Sequence, residues 1–468
     1  MEAKDENLLG ESSYSLEKEL PYSHFLDQTS EQEKSAHYKK GGYHPVKIGD
    51  EYCERYYVIR KLGFGTYSTV WLCWDKKDEH FVALKIQESS STYSGIAFRE
   101  IKFLRIVDEA DAQDPRRNRL VRLLNDFQIS GVNGQHICLV FEITGYTLYT
   151  LLLQYNGKGI PLANVRTIMK HVLEGLEYLH CKCKLIHGDV KPENILMCVR
   201  EDYNLKLACE VAEMYRSKIK LPASVIANAP LGSMRTFKQI KADRRRTSSF
   251  RRQVKIIMDT IEEKKKIAES ESIGNTSYSP SPSSSSDRKL KFNPVFEESE
   301  FELKIADLGL ASRIGGRLHT IIQSRPYRSL EVLIGAKYNA AADIWSTACM
   351  AFELATGCYL FKLDSKITHP DVNHLVKIID LLGSIPKEIV QSGWKYQFLL
   401  SKQYNLPHIH ELQPSGLEDI LQKKYDWSLG DAQEFAAFLL PMLQYDVDKR
   451  ATASECLKHP WLSLNKPL

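Results

Sequence analysis

The sequence His187-Gly188-Asp189-Val190-Lys191-Pro192-Glu193-Asn194 decides how the rest of the chain is interpreted. Its aspartate can accept a proton from a hydroxyl group, its lysine can contact a phosphate, and its asparagine can bind a metal ion. Catalysis of phosphoryl transfer depends on positioning and charge stabilisation, and these are the groups that it uses. A polar surface loop is the alternative, so the flanking sequence has to decide between the two.

A glycine-rich turn lies upstream, at Leu62-Gly63-Phe64-Gly65-Thr66-Tyr67-Ser68-Thr69-Val70. Two glycines one residue apart let backbone amides approach an anion closely, although Ser68 stands where a third glycine would complete G-x-G-x-x-G. The pattern is weak alone because many glycine turns bind nothing. Strand patterns on both sides of the turn argue against the strand-then-helix order of a dinucleotide fold.

A lysine and a glutamate follow the turn. Lys85 lies within the strand pattern Phe81–Ile86, and Glu100 lies fifteen residues later in a helical stretch, 98–104. Such a pair can hold the α- and β-phosphates of ATP, whereas solvated charges are the alternative. The order of glycine turn, lysine, glutamate and D-x-K-P-x-N favours the nucleotide site.

The remaining patterns predict a strand at His136–Glu142, a hinge at Ile143–Gly145 and a core-packed helix at Ala163–His180. Asp307 follows an apolar strand and precedes a glycine turn, which is a metal-ligand position. The sequence from Asp343 to Trp461 reads as amphipathic helices.

Two segments lack a core pattern. Residues 1–50 are polar and predict a disordered leader, and 198–300 predict a mostly disordered insert that builds no core. The insert carries nine Lys or Arg against one acid in Arg235–Lys255, and nine serines in Ser270–Ser286. The basic run is a nuclear import signal, a partner site or a solvated helix, and Val254–Met258 fits one short helix within it. We expect a folded, active protein after removal of residues 205–295.

Composition narrows the class. Of 468 residues, 43% are hydrophobic and 26% charged, and the net charge of +4 indicates neither nucleic acid nor membrane as a partner. Ten scattered cysteines predict reduced thiols in a cytosolic or nuclear protein. The N-terminus has no signal-peptide pattern, and the longest apolar run, Ile344–Thr356, is too short for a bilayer and predicts a buried helix.

These motifs, in this order, resemble a eukaryotic protein kinase over about residues 56–197 and 301–464, and more narrowly the SR protein kinases. The narrower resemblance rests on the long insert, on Asp307-Leu308-Gly309, on the sequence Gln323-Ser324-Arg325-Pro326-Tyr327-Arg328-Ser329-Leu330-Glu331, and on the run from Glu331 to Gly357. It implies an α+β, bilobal kinase fold with a small β-rich N-lobe and a larger helical C-lobe. The domains would be a leader (1–50), the N-lobe (56–145), the first part of the C-lobe (146–197), the insert (198–300) and the remaining C-lobe (301–464).

The resemblance also implies residue roles. Asp189 would be the catalytic base and Lys191 would stabilise the γ-phosphate, while Asn194 and Asp307 would bind Mg²⁺. Asp343 would brace the catalytic loop, and Glu331 would pair with Arg450. ATP would be bound by the Glu142 carbonyl, the Thr144 amide, Lys85 and Glu100, under the turn formed by Leu62, Gly63, Phe64, Gly65, Thr66, Tyr67, Ser68, Thr69 and Val70.

The implied activity is ATP-dependent phosphorylation of serines in Arg/Ser-rich splicing factors, and so regulation of mRNA splicing. The protein would be a monomer in the cytoplasm and nucleus, and it would contact neither nucleic acid nor membrane directly. A pseudokinase scaffold that binds such partners is the alternative, and a related kinase with a different substrate is a third. Retention of all the catalytic groups favours an active enzyme.

Some positions depart from the family pattern. Gly188 replaces an arginine or threonine, so control by a phosphorylated activation loop is not expected. Asp380 and Lys424 fit the residue pattern of the family's acidic docking groove, but Cys358 and Asn373 stand where acids are expected.

Overall fold

The computed structural model describes residues 35–199, 201–217, 237–273, 301–316, 319, 321–363, 369–395 and 416–463. An antiparallel six-stranded sheet, in the order β1-β2-β3-β4-β6-β5, forms the N-lobe with helix α1 beside it. Its elements are β1 (Glu51–Tyr52), β2 (Tyr56–Gly65), β3 (Ser68–Asp75), β4 (His80–Gln87), α1 (Ser91–Glu109), β5 (Leu123–Gly131) and β6 (Gly134–Glu142).

The C-lobe is helical. It contains α2 (Leu148–Gln154), α3 (Leu162–Cys181), α6 (Leu330–Ile334), α7 (Ala341–Thr356), α8 (Pro370–Leu382), α9 (Lys387–Gln391), α10 (Leu417–Tyr425), α11 (Leu429–Leu439) and α12 (Ala453–Leu457). Two small ladders, β7 (Leu185–Ile186) with β10 (Ser312–Arg313) and β8 (Ile195–Met197) with β9 (Leu303–Ile305), flank the catalytic loop. Helix α7 is buried along its whole length, because apolar residues lie on every side of it.

Residues 56–59 of β2 and most of β3 are buried on both faces. Side chains alternate along a strand, so Tyr56, Val58 and Trp71 enter one core cluster while Tyr57 and Leu72 enter another. The second cluster is completed by two helices of the insert, α4 (Glu201–Arg216) and α5 (Phe237–Ile273).

The prediction that the insert is mostly disordered and builds no core is therefore wrong for residues 201–217 and 237–273. Phe250, Val254, Ile257 and Ile261 of α5 are spaced four, three and four residues apart, and they form an apolar stripe that packs on the sheet. A low average apolar content concealed this single stripe. The short helix predicted at Val254–Met258 belongs to this long one, and the Ser-rich tract lies mostly outside the described residues.

The prediction that residues 1–50 form a disordered leader is also wrong from residue 35 onward. Tyr43, Val46 and Ile48 are buried against the N-lobe, while residues 1–34 lie outside the described part of the chain. Within the described part, no helix is long and apolar enough to cross a bilayer.

Candidate active site

The catalytic loop, residues 187–194, runs between β7 and β8 and is fixed from below by Asp343 of α7. One Asp343 oxygen accepts from the His187 amide at 2.7 Å and the other from the Gly188 amide at 2.8 Å. His180 Nε2 lies 2.8 Å from the same carboxylate. Burial opposes the negative charge of Asp343, but His180 and the amides outweigh burial, and the pKa of the carboxyl is lowered. The predicted bracing contact is confirmed.

His187 joins the loop to the strand that carries Asp307. Its Nε2 lies 3.0 Å from the Ala306 carbonyl, which can only accept, so Nε2 carries the proton. Its Nδ1 accepts from the Asp189 amide at 3.1 Å. Gly188 has a φ of +81°, and a Cβ there would lie 2.8 Å from the Leu310 carbonyl oxygen, so glycine suits this backbone.

Asp189 lies at the centre of a hydrogen-bonded cluster. Its Oδ1 accepts from the Ser324 amide at 2.9 Å and from the Ser324 hydroxyl at 2.8 Å. Lys191 Nζ lies 2.8 Å from the other oxygen, Oδ2, and donates to Ser324 Oγ at 2.8 Å. Asn194 Nδ2 donates to the Asp189 carbonyl at 2.8 Å. The three predicted residues of the loop are thus brought together, and Ser324, for which no role was predicted, joins them.

A second charged cluster lies across the cleft between the lobes. Lys85 Nζ of β4 donates to Glu100 Oε1 of α1 at 2.8 Å and to Asp307 Oδ1 at 3.1 Å. Burial opposes the charge on Lys85, but Asp307 and Glu100 outweigh it and raise the pKa of the ammonium. Lys85 in turn lowers the pKa of the Asp307 carboxyl. The predicted pair of Lys85 and Glu100 is present, and it places α1 in contact with the Asp307 turn.

Asn194 and Asp307 fit a magnesium site. Asn194 donates through Nδ2, which leaves Oδ1 as the atom for a cation, and Asp307 offers a carboxylate. Among the described residues, no cluster of three or more His, Cys, Asp or Glu side chains could hold a metal ion. Mg²⁺ sites that are completed by nucleotide phosphates and water typically have only one or two protein ligands.

The glycine-rich turn and the hinge bound the cleft. Residues 62–70 form the end of β2, the turn and the start of β3, as predicted. Glu142 ends β6, and its Oε1 accepts from Lys304 Nζ at 2.7 Å and from the Arg122 amide at 2.8 Å. Its side chain is therefore engaged within the protein, and Thr144 follows it as the chain passes between lobes.

Glu331 and Arg450 form the predicted buried ion pair. Arg450 donates to both carboxylate oxygens, at 2.8 and 2.9 Å, and its guanidinium lies over the ring of Trp345. A two-pronged pair of this kind fixes the segment that follows Ser324 against the C-lobe core.

The curled sheet, the helical lobe and the two charged clusters define a protein kinase. A protein kinase domain profile matches residues 56–214 and 287–462, so the domain is interrupted by an insert, as predicted.

Three relatives narrow the class. SRSF protein kinase 3 of Homo sapiens is 39% identical, over 92% of this chain and 90% of that protein. Serine/threonine-protein kinase SRPK of Physarum polycephalum is 37% identical, over 93% of this chain and 92% of that protein. Protein kinase dsk1 of Schizosaccharomyces pombe is 34% identical, over 92% of this chain and 85% of that protein. The chain belongs to the SR protein kinase family and is a protein serine/threonine kinase; the pseudokinase alternative is not supported.

Proposed function

We propose that this kinase transfers the γ-phosphate of ATP to serines in Arg/Ser-rich proteins of the splicing-factor class, and so regulates mRNA splicing. The support is similarity over nearly the whole chain to proteins named as SRSF and SRPK kinases. The D-x-K-P-x-N form of the catalytic loop favours serine or threonine as the acceptor.

The observation that carries the catalytic part of the proposal is the contact of Ser324 and Lys191 with Asp189. Asp189 acts as the base for the acceptor hydroxyl, and Ser324 fixes its carboxylate in one orientation. Lys191, within reach of the same carboxylate, stabilises charge on the transferring phosphate.

The nucleotide is held from the other side. Lys85, oriented by Glu100, contacts the α- and β-phosphates under residues 62–70, and the Glu142 carbonyl and Thr144 amide meet the adenine. Asn194 and Asp307 bind Mg²⁺, which neutralises phosphate charge when it is bound.

The test is phosphate transfer to three peptides of equal length: an Arg/Ser repeat, a Lys/Ser repeat and a Ser-Pro repeat. We expect the highest kcat/KM for the Arg/Ser repeat, and transfer that requires Mg²⁺. Faster transfer to the Ser-Pro repeat would assign a different substrate class. The Asp189→Ala variant is the control for contaminating kinases.

We further propose that the kinase acts as a monomer in cytoplasm and nucleus, without direct contact with nucleic acid or membrane. Exposed basic residues of α5, including Arg251, Arg252 and Lys255, support a nuclear address. A fluorescent fusion with these three residues changed to glutamine should shift toward the cytoplasm. An unchanged distribution would exclude them as the import signal.

A further inference from the structure

Residues 41–48, here called the strap, bind along the edge of the N-lobe. The Gly41 amide donates to the Asn133 carbonyl at 3.0 Å, and Asn133 Nδ2 donates to the Tyr43 carbonyl at 2.7 Å. The Gly42 carbonyl accepts from the Ser89 amide at 3.2 Å. These contacts tie the strap to the β5–β6 turn and to the β4–α1 turn, so its backbone has a defined position.

The Tyr43 side chain extends from the strap to the glycine-rich turn. Its hydroxyl lies 2.7 Å from the Gly65 carbonyl oxygen and 3.2 Å from the Thr66 carbonyl oxygen. The side chain is 2% exposed, and the His37 ring stacks on it. Burial, with the nearby Glu88 carboxylate, raises the pKa of Tyr43, so the hydroxyl keeps its proton and donates.

The orientation of these carbonyls sets the orientation of the amides that follow them. In a planar trans peptide, the C=O and the N–H point in opposite directions. The Gly65 carbonyl shares a peptide with the Thr66 N–H, and the Thr66 carbonyl shares one with the Tyr67 N–H. A hydroxyl that holds both carbonyls therefore directs both N–H groups away from the strap.

The next peptide of the turn is held by α1 and the segment before it. The Tyr67 carbonyl accepts from the Glu88 amide at 2.8 Å. The Tyr67 ring stacks on Tyr93 of α1, with ring centroids 4.2 Å apart. Three consecutive carbonyls are thus fixed by groups outside the turn.

We propose that Tyr43 is a positioning residue for the phosphates of ATP. It does not touch the nucleotide. It holds the Thr66 and Tyr67 amides in the orientation that receives phosphate oxygens, so the turn does not have to be ordered when ATP binds. This role rests on the proposed binding of ATP phosphates under residues 62–70 and is independent of the protein substrate.

The test compares a nucleotide that has phosphates with one that has none. Tyr43→Phe keeps the ring and removes the hydroxyl. We expect the Kd for Mg-ADP, measured by calorimetry, to rise about 3- to 10-fold, as for one lost hydrogen bond. The Kd for adenosine, which makes no phosphate contact, should change less than about 2-fold.

Tyr56→Phe is the matched control. Tyr56 is a fully buried tyrosine of the same lobe, and its hydroxyl accepts from Asn125 Nδ2 at 2.8 Å, away from the turn. Its loss should leave the ratio of the two Kd values unchanged.

The ratio of ADP affinity to adenosine affinity is also insensitive to partial unfolding of a variant, because a smaller folded fraction weakens both apparent affinities equally. Equal weakening of ADP and adenosine in Tyr43→Phe would show that the hydroxyl supports the lobe in general and would overturn the proposal. Unchanged affinity for both would overturn it as well.

Discussion

At the scale of single residues, the acceptor side of the site depends on how Asp189 is held. Its carboxylate receives two hydrogen bonds from Ser324, and Lys191 lies against its second oxygen. A carboxylate held on both oxygens in this way keeps one orientation. The geometry separates residues that act on the acceptor hydroxyl from those that act on the nucleotide.

This separation predicts the behaviour of Asp189→Ala. Turnover should fall by at least about 10³-fold, because the base that accepts the hydroxyl proton is removed, while the affinity for Mg-ATP should persist. Lys85→Met should instead weaken nucleotide binding, since Lys85 bridges Glu100 and Asp307. Turnover and nucleotide titration of both variants check the assignment, and undiminished turnover of Asp189→Ala would refute it.

Ser324 allows a finer test. Ser324→Ala removes the hydroxyl that bonds to Asp189 and Lys191 but keeps the backbone amide bond. We expect kcat to fall about 10- to 150-fold, corresponding to the loss of one hydrogen bond made to a charged group, with the Kd for ATP unchanged. Ser324→Thr keeps a hydroxyl and should recover most of the rate. If threonine fails to rescue, the role of Ser324 is packing.

The residues that sequence alone identified share one property: each lies in a short motif with fixed internal spacing. Lys85, Asp189, Asn194 and Asp307 were found in this way. Ser324 lies inside a motif that was recognised, but a single serine in a loop gives no signal of its contacts. The role of Tyr43 is harder still to predict, because its partners are backbone carbonyls about twenty residues away. Every residue has a backbone carbonyl, so the sequence does not indicate which one is bound.

At the scale of elements, the N-lobe sheet depends on the insert. Tyr57, Leu72 and Trp74 are apolar residues on the sheet face that α4 and α5 cover. The Phe250 ring stacks on Tyr57 with centroids 6.1 Å apart. Arg60 and Glu210 pair at the edge of this contact. The packing of α4 and α5 on this sheet face explains why β2 and β3 carry apolar residues on both faces, instead of alternating apolar and polar residues.

Phe250→Ala tests this cover. Removal of a fully buried phenylalanine should cost about 3 kcal/mol of unfolding free energy. Ile256→Ala, on the same helix but 49% exposed, should cost less than about 1 kcal/mol and serves as the control. Thermal melts and urea titrations of the two variants provide the comparison. Equal losses would mean that α5 does not pack on the sheet in solution.

The same contact revises the expectation for removal of residues 205–295. If only the entropy of loop closure changed, this deletion would have little effect on stability. The deletion also uncovers the apolar face of β2 and β3, so we expect a lower melting temperature and a tendency to aggregate. The sequence could not show this, because the receiving surface and the packed helices are separated by more than a hundred residues, and each looks unremarkable alone.

At the scale of the whole molecule, the bilobal fold was predictable because its motifs occur in a fixed order, whereas the surface that binds substrate was not. The resemblance to the SR protein kinases placed Cys358 and Asn373 at docking positions where acids are expected. Asn373 is 3% exposed in the first turn of α8, so a carboxylate there would be buried at a cost in stability. Asp371, on the same turn, already pairs with Arg325 at 2.7 Å and with Lys395 at 3.4 Å. An acid can therefore be introduced without burying its charge at Cys358, which is partly exposed and close to α10.

Cys358→Asp should strengthen the docking of an Arg/Ser repeat peptide. One added, partly exposed ion pair contributes about 0.2–1 kcal/mol, which is a roughly 1.5- to 5-fold lower Kd at low salt. The gain should vanish at high salt, because ions screen exposed charges within a few ångströms. Cys53→Asp makes the same chemical change on an exposed turn of the N-lobe and controls for the altered net charge. The measurement is the Kd of the peptide at both salt concentrations for the wild type and both variants. A gain shared by Cys53→Asp would come from net charge alone, and no gain for Cys358→Asp at low salt would place the docking surface elsewhere on the C-lobe.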